Sequence, residues 1–233
     1  HGMILLPEKT TITLHTEPTW HGLPVNINHG PLIHEYLQGI YEALGVAVED
    51  YRRVAVVRVD LHFPVRGGIN AKGAISRFRD SLKAKVAGHL KRRKRGRRSG
   101  RVHECTPRII WVREWGDRAT CPHYHVAVLL NYDEYWRLGE YEPGQGTLGA
   151  MISEAWSSAL GLSPEAGSGQ VEFCDNTLTL LDRNSPMFQD DYKAMFFRLS
   201  YFAKVKTKRF GDGERNFGIC RVSRRSGHAN LRL

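Results

Sequence analysis

Cysteine is scarce in this sequence, with four among 233 residues, at positions 105, 121, 174 and 220. The four form no Cys-x-x-Cys pair and no framework spacing, which argues against a small disulfide-stapled scaffold of the secreted type. We therefore expect four reduced thiols in a cytoplasmic protein.

Long apolar runs and export signals are also absent. No segment approaches the ~20 consecutive apolar residues that a membrane span requires, and no signal peptide opens the chain. We therefore expect no membrane partner. The sequence also lacks a phosphate-binding loop of the type Gly-x-x-x-x-Gly-Lys-Ser/Thr, so we expect no helicase domain in it.

Positive charge, in contrast, is in excess. Thirty-four Lys and Arg residues oppose 24 Asp and Glu, which gives a net charge of +10. A basic domain of this size most often binds a polyanion, and nucleic acid is the commonest one. The charge is concentrated in Lys91–Arg101 and in Arg198–Arg225. The first of these runs can neutralise several phosphates without reading bases, although a solvated surface segment is the alternative.

Hydrophobic periodicity predicts an α+β sandwich, in which a central antiparallel β-sheet has its helices packed on one face. We predict helices over 31–44, 71–90, 147–160 and 188–206, and strands over 52–63, 108–115, 121–131, 169–174 and 177–181. Strands 108–115 and 121–131 should pair as an antiparallel hairpin. Residues 1–30 are predicted to form an extended N-terminal arm, and residues 31–233 a single domain with a basic C-terminal tail.

Two histidines one residue apart mark the mouth of the predicted strand over 121–131. His123 and His125 project from the same face of a strand, roughly 7 Å apart at their bases, so both can bind one cation. A divalent hard cation also needs a carboxylate, and Glu114 on the neighbouring strand can supply it. Asp60 and His62 on the first strand are the fallback ligands. The alternatives are an incidental histidine pair and an exposed strand-end glutamate.

A tyrosine and a lysine three residues apart lie on the last predicted helix. Lys204 can stabilise a phenolate of Tyr201 or a phosphate. A phenol with an ordinary pKa of about 10 is a weak nucleophile and needs such a cation or a polarised electrophile. The alternative is a packing tyrosine, because Phe197 shares its face of the helix.

These residues, in this order, resemble one enzyme family. A histidine–hydrophobic–histidine strand, an upstream carboxylate and a downstream Tyr-x-x-Lys helix are the motif set of the HUH endonucleases. The sequence is more closely similar to the replication proteins of filamentous inoviruses, a bacteriophage family that also occurs in prophages and related mobile elements. The stretches that carry this resemblance are Arg58–Pro64, His123–Asn131, Arg198–Lys208 and Gly211–Gly218.

The resemblance implies a ferredoxin-like nuclease domain that initiates rolling-circle replication in a bacterial host cell. His123, His125 and Glu114 would hold Mg²⁺ or Mn²⁺, and Tyr201, assisted by Lys204, would nick single-stranded origin DNA through a 5′-phosphotyrosine. Host helicase and polymerase would be further partners. Phe197, where two-tyrosine members carry the second nucleophile, implies a single-tyrosine enzyme. We assign DNA contacts to Arg58, Asp60, His62, Lys91, Arg92, Arg93, Lys94, Arg95, Lys206 and Lys208.

Two other functions remain open at this point. One is a DNA-binding regulator without catalysis, with a structural zinc held by some of His103, Cys105, Cys121, His123 and His125, although their spacing does not match common zinc fingers. The other is a metal-dependent hydrolase that uses activated water, in which Tyr201→Phe would leave cleavage intact.

Overall fold

The elements of the fold follow the chain from strand to helix and back, in a computed structural model that describes residues 3–5, 11–65, 69–96, 100–116 and 121–220. The strands are β1 (Met3–Leu5), β2 (Thr11–His15), β3 (Thr19–Trp20), β4 (Leu23–Pro24), β5 (Leu32–Ile33), β6 (Arg53–Leu61), β7 (Arg108–Glu114), β8 (His123–Asn131), β9 (Val171–Asp182) and β10 (Phe217–Ile219). The helices are α1 (His34–Asp50), α2 (Ala74–Arg95), α3 (Leu148–Ala159) and α4 (Phe188–Ser200), followed by a 3₁₀ turn at Tyr201–Ala203.

A five-stranded antiparallel sheet in the order β10-β7-β8-β6-β9 forms the centre. The predicted hairpin pairing of β7 with β8 is confirmed, and its register sets Glu114 opposite His123. On the other side of β8, Asp60 of β6 lies opposite His125. The α+β class and the central antiparallel sheet are therefore as the periodicity predicted.

Each face of the sheet carries a separate apolar core because successive side chains on a strand point to opposite faces. Helices α1 and α4 cover one face, where Val56, Val112 and Ala127 are buried. Helices α2 and α3 cover the other, where Val57 and Val126 are buried. The prediction of helices on one face only is therefore wrong, because the strands are apolar on both faces. Among the described residues, no helix combines the length and the apolar character that crossing a membrane requires.

Two helix ends differ from the prediction. The helix predicted over 31–44 continues to Asp50, because Ala47 and Val48 extend its buried stripe. Helix α4 ends at Ser200, before the predicted end at 206. The chain there turns extended at Lys204, which forms a β-bridge with Leu32 of the N-terminal segment.

Two strand assignments differ as well. The two short strands predicted over 169–174 and 177–181 are one strand, β9, whose pairing with β6 shifts register in the middle. Asn176 adopts a left-handed conformation there, with φ of 51°, so Asp175-Asn176 forms an irregularity instead of a turn. Residues Phe217–Ile219, predicted as loop, pair with β7 and extend the sheet.

The N-terminal segment, predicted as an extended arm, forms short strands, and it also packs against the domain. Trp20, Leu23 and Val25 are buried in the core beneath α1 and α4, and β2 pairs with β5. Residues 11–30 of this segment therefore contribute side chains to the core of the domain. The predictions for Arg97, Arg98 and the tail beyond Cys220 concern residues outside the described ranges.

Candidate active site

On the face of the sheet covered by α1 and α4, the side chains of the three neighbouring strands β6, β7 and β8 are apolar in the middle of the sheet and become polar towards the same end of the sheet. In β8 the buried Ala127 is followed towards the strand's start by His125 and His123, and β6 and β7 change in the same way. The polar residues in question are Arg58, Asp60, Glu114, His123 and His125. Because the strands are in fixed register, the polar groups form one cluster at the edge of an apolar core.

The two histidines and the glutamate bring three ligand atoms together. His123 Nε2 lies 3.2 Å from His125 Nε2, and His125 Nε2 lies 3.3 Å from Glu114 Oε2. All three atoms lie within 4.8 Å of one another, and the described residues contain no other group of three or more His, Cys, Asp or Glu so arranged. Atoms about 2.1 Å from one ion at octahedral angles lie about 3 Å apart, so the spacing fits a divalent cation.

Asp60 orients His125 towards this cluster. Its Oδ1 lies 2.7 Å from His125 Nδ1, which leaves Nε2 as the nitrogen that faces His123 and Glu114. Burial alone would lower the pKa of His125, but the hydrogen bonds with Asp60 and Glu114 raise it above its ordinary value. Burial and the charge of His125 lower the pKa of His123. A carboxylate behind a histidine ligand is a common arrangement at metal sites.

Two lysines and a threonine hold the Glu114 carboxylate, whose side chain is 2% exposed. Lys204 Nζ donates to Oε2 at 2.6 Å and Lys208 Nζ donates to Oε1 at 2.8 Å. Burial alone would raise the pKa of Glu114, but the hydrogen bond with His125 and the charge of Lys208 hold it well below its ordinary range. Burial lowers the pKa of Lys208 to about 8.

Thr207 completes this arrangement from an unusual backbone conformation. Its φ of 77° lies in the left-handed region, which β-branched residues rarely adopt. Two contacts hold it there: Thr207 Oγ1 donates to Glu114 Oε2 at 2.9 Å, and Trp115 N donates to the Thr207 carbonyl at 2.9 Å. Such conformations cost on the order of 1–3 kcal/mol and concentrate at functional sites. Sequence reasoning missed Thr207, because glycine is the usual signal for this conformation.

Tyr201 lies beside the histidines. Its ring centroid is 6.0 Å from that of His125, with the planes at 74°. Lys204 Nζ lies 3.4 Å from the centre of the Tyr201 ring while it also pairs with Glu114. The structure therefore brings together all five predicted catalytic and metal-ligating residues, although they span 91 sequence positions from Glu114 to Lys204.

His29 is a neighbour of Tyr201 that sequence reasoning missed. The two ring centroids lie 5.0 Å apart with perpendicular planes. The loop that carries His29 is fastened on both sides of the tyrosine: Asn26 N donates to Ser200 Oγ at 2.8 Å, and Val205 N donates to the Pro31 carbonyl at 3.0 Å. No motif marks this loop, so only the tertiary contact identifies it.

The predicted DNA contacts near the cluster differ in accessibility. Arg58 is 8% exposed and stacks on the Phe202 ring at 4.4 Å, so it forms part of the wall. The Lys208 side chain is buried against Glu114, whereas Lys206 is exposed. His62 stacks on His123 with ring centroids 5.7 Å apart and contacts Glu172 at 3.2 Å.

The basic run at Lys91–Arg95 lies elsewhere. It forms the last turns of α2, on the opposite face of the sheet. Arg93 pairs with Glu134, which follows the far end of β8. Since Asn131 lies eight residue-to-residue steps along β8 from His123, the run lies roughly 25 Å from the histidines. The structure does not bring these residues to the cluster.

The residues considered for a structural zinc site do not assemble either. Cys105 Sγ accepts a hydrogen bond from Asn131 N, at the end of β8 opposite His123. All four cysteines are free thiols, as predicted. The chain thus separates Cys105 from the two histidines by the length of a strand.

Comparisons with known proteins identify relatives over most of the chain. A sequence model of the family described as YagK/YfjJ C-terminal domain matches residues 15–220. Uncharacterized protein YagK of Escherichia coli K12 is 40% identical over 203 residues, which cover 83% of this chain and 96% of that protein. Uncharacterized protein YfjJ of the same strain is 34% identical over 198 residues, 80% of this chain and 93% of that protein. No solved structure matches the chain.

Proposed function

The chain belongs to the YagK/YfjJ C-terminal domain family, and on that premise we propose that it is a metal-dependent endonuclease and strand transferase for single-stranded DNA, an initiator of rolling-circle replication. The observation that carries this proposal is the position of the Tyr201 ring, 6.0 Å from His125 in the Glu114–His123–His125 cluster. The motif resemblance to HUH endonucleases and inovirus replication proteins supports the same chemistry. We also propose that the central antiparallel sheet with its helices is the ferredoxin-like palm domain of the HUH endonucleases.

The proposed cofactor is Mg²⁺ or Mn²⁺. His123, His125 and Glu114 would hold it, and two imidazoles with one carboxylate are a donor set that Mn²⁺ accepts readily. When bound, the ion would polarise the scissile phosphate and offset negative charge on its oxygens. Asp60 keeps His125 oriented, while Lys204, Thr207 and Lys208 keep the Glu114 carboxylate ionised and in place.

In the proposed step, the hydroxyl oxygen of Tyr201 attacks the phosphorus of a single strand. The bond from the tyrosine oxygen to phosphorus forms and the bond from phosphorus to the 3′-oxygen breaks. The phenol proton passes to solvent, and the departing 3′-oxygen takes up a proton. Lys204, over the ring at 3.4 Å, stabilises negative charge on the phenolate. The free 3′-hydroxyl primes synthesis by a host polymerase, and the reverse transfer closes the strand.

One tyrosine performs both transfers. Phe197, one helical turn before Tyr201, is 38% exposed and has no hydroxyl, so it offers no second nucleophile. A host helicase in the cytoplasm of the bacterial cell would unwind the origin, because this sequence contains no Gly-x-x-x-x-Gly-Lys-Ser/Thr loop.

A denaturing gel tests the proposal. Incubation of the protein with origin-containing single-stranded DNA and Mn²⁺ should give a covalent adduct, which Tyr201→Phe abolishes. The matched control is Tyr132→Phe, at the far end of the sheet beside Arg53, which should form adduct like the wild type. Equal adduct from wild type and Tyr201→Phe would disprove the mechanism.

The histidines are tested with the same substrate. Replacement of His123 and His125 by Ala should abolish the adduct, because the cluster loses two of its three ligands. Salt-sensitive DNA binding should persist, since the exposed lysines and arginines remain. Loss of DNA binding, together with a chelator-resistant zinc in the wild type, would instead indicate the zinc-stabilised regulator.

A further inference from the structure

An exposed tryptophan lies beside the basic end of α2, on the face of the sheet opposite the active site. We propose that Trp136 and the cationic residues Lys91–Arg95 form a second binding site, whose ligand is a single-stranded nucleic acid. The chemistry of this site does not depend on Tyr201, so it can be tested separately from the proposed function.

The loop that carries Trp136 is fastened to α2. Tyr135 Oη lies 2.9 Å from His89 Nδ1, and Glu134 pairs with Arg93, one helical turn further on. Glu134 Oε2 also accepts a hydrogen bond from His103 N at 3.0 Å. These contacts hold the two residues before Trp136 against α2, while Trp136 itself is 55% exposed. The indole is therefore presented on an ordered support.

A cation already stacks on this indole. The Arg137 guanidinium carbon lies 4.7 Å from the Trp136 ring centre. An aromatic ring combined with a flat guanidinium is the combination on which unpaired bases stack in single-strand binding proteins. Duplex DNA hides the faces of its bases, so an exposed indole favours single strands over duplexes.

The surrounding charge complements a phosphate backbone. Lys91, Arg92, Lys94 and Arg95 are exposed on the last turns of α2. The carboxylates that contact this run are Glu104, which pairs with Lys94, and Glu134, which pairs with Arg93. Glu154, which pairs with Lys85, also interacts electrostatically with Arg92, so five cationic residues still exceed the carboxylates near them in the described part of the chain. Cations are favourable at a helix C-terminus in any case, but the helix dipole does not account for an exposed indole beside them.

The position of this site indicates which part of a DNA strand it would bind. It lies roughly 25 Å from His123 along β8 and on the other face of the sheet. A stacked strand, at ~3.4 Å per nucleotide, covers this separation with about seven nucleotides, and the path around the sheet to its other face adds to that length. Under the proposed function, the ligand is therefore a part of the DNA strand distant from the nick.

Fluorescence anisotropy with a labelled oligo-dT of about 20 nucleotides, in EDTA, tests the stacking component. That length exceeds the ~4–16 nucleotides that one module usually covers. Trp136→Ala should weaken binding about 5- to 100-fold, and Trp136→Phe, which keeps a ring, should retain most of the affinity. Equal affinity of wild type and Trp136→Ala would overturn the proposal.

A salt titration tests the charge component. Lys91→Gln with Arg95→Gln should reduce the slope of log K against log salt by about 1.4, since each phosphate contact on a single strand contributes about 0.7. The matched control, Arg183→Gln with Lys193→Gln, removes the same charge from exposed positions around α4 and should leave the slope unchanged. Equal slopes for the two double variants would contradict the proposal.

Two further measurements separate this site from the active site. A duplex competitor should bind more weakly than the single strand; equally tight duplex binding would overturn the proposal. Trp136→Ala should leave adduct formation intact at saturating substrate, because the substitution alters neither Tyr201 nor the Glu114–His123–His125 cluster; loss of the adduct under these conditions would show that the two sites are not separate. If the wild type forms no adduct at all, the proposed nicking function fails, while the oligo-dT result still decides the second site.

Discussion

At the scale of single residues, Asp60 determines which nitrogen of His125 faces the ligand cluster. Its carboxylate lies 2.7 Å from Nδ1 and 3.5 Å from the guanidinium of Arg58, which is itself stacked on Phe202. Asp60 was expected as a DNA contact or a fallback ligand. The geometry supports a positioning role, in which Asp60 acts through His125.

We predict that Asp60→Asn weakens Mn²⁺ binding about 10- to 100-fold, the usual effect of losing a carboxylate behind a histidine ligand. Calorimetric titration with Mn²⁺ measures this directly, without a DNA substrate. Asp60→Glu should recover part of the affinity. The control is Glu165→Gln, an exposed carboxylate in the loop before β9. Unchanged Mn²⁺ affinity in Asp60→Asn would show that Asp60 does not position His125.

At the scale of elements, the end of α4 and the loop at 26–31 act as one unit around Tyr201. Ser200, which is fully buried, accepts a hydrogen bond from Asn26 N and donates one to the Phe197 carbonyl. The hydroxyl therefore joins the last turn of the helix to the N-terminal loop. This junction therefore fixes the backbone position of Tyr201, the next residue.

We predict that Ser200→Ala lowers the rate of adduct formation by about tenfold or more, because small misplacements of a reacting group can cost on the order of 100-fold. Stability should fall by about 1 kcal/mol, since the half-buried Asn26 N–H loses its acceptor. Ser157→Ala is the matched control: Ser157 is a buried helical serine that donates to the Ser153 carbonyl on the opposite face of the sheet. An equal rate loss in both variants would indicate a general folding defect.

At the scale of the whole molecule, the sheet separates two apolar cores, and it also separates the histidine cluster from the basic end of α2. The core under α1 and α4 ends in the histidine cluster, and the core under α2 and α3 lies below the basic helix end. The N-terminal segment belongs to the first of these. Trp20 is 3% exposed, stacks on Phe196 at 5.7 Å and donates to His34 Nδ1 at 3.0 Å.

We predict that Trp20→Ala destabilises the entire domain by about 3–5 kcal/mol, the usual cost of removing a large buried aromatic side chain. Urea unfolding followed by circular dichroism should show one transition shifted to lower urea. Trp136→Ala, at an exposed position, should stay within about 0.5 kcal/mol of the wild type. If residues 11–30 were an independent arm, Trp20→Ala would leave the main transition unchanged.

The sequence alone predicted the four helices and the strands β6, β7 and β8 of the central fold, because their periodicity reflects which side chains face a core. Strand β8 is identifiable from its run of Val, Ala and Leu, and the pairing of β7 with β8 follows from their short connection. The same alternation placed His123 and His125 on one face. Glu114 could be predicted as the third ligand, because the two strands of a hairpin place their residues opposite each other in a regular order.

Only the tertiary structure decided which distant groups meet. Asp60 lies opposite His125 because β6 pairs with β8, a register that no local pattern encodes. Thr207 and His29 reach the cluster through loops whose conformations depend on contacts made by the rest of the fold. The basic run, prominent in the sequence, is carried by α2 to the opposite face, since a helix packs where its apolar stripe is buried.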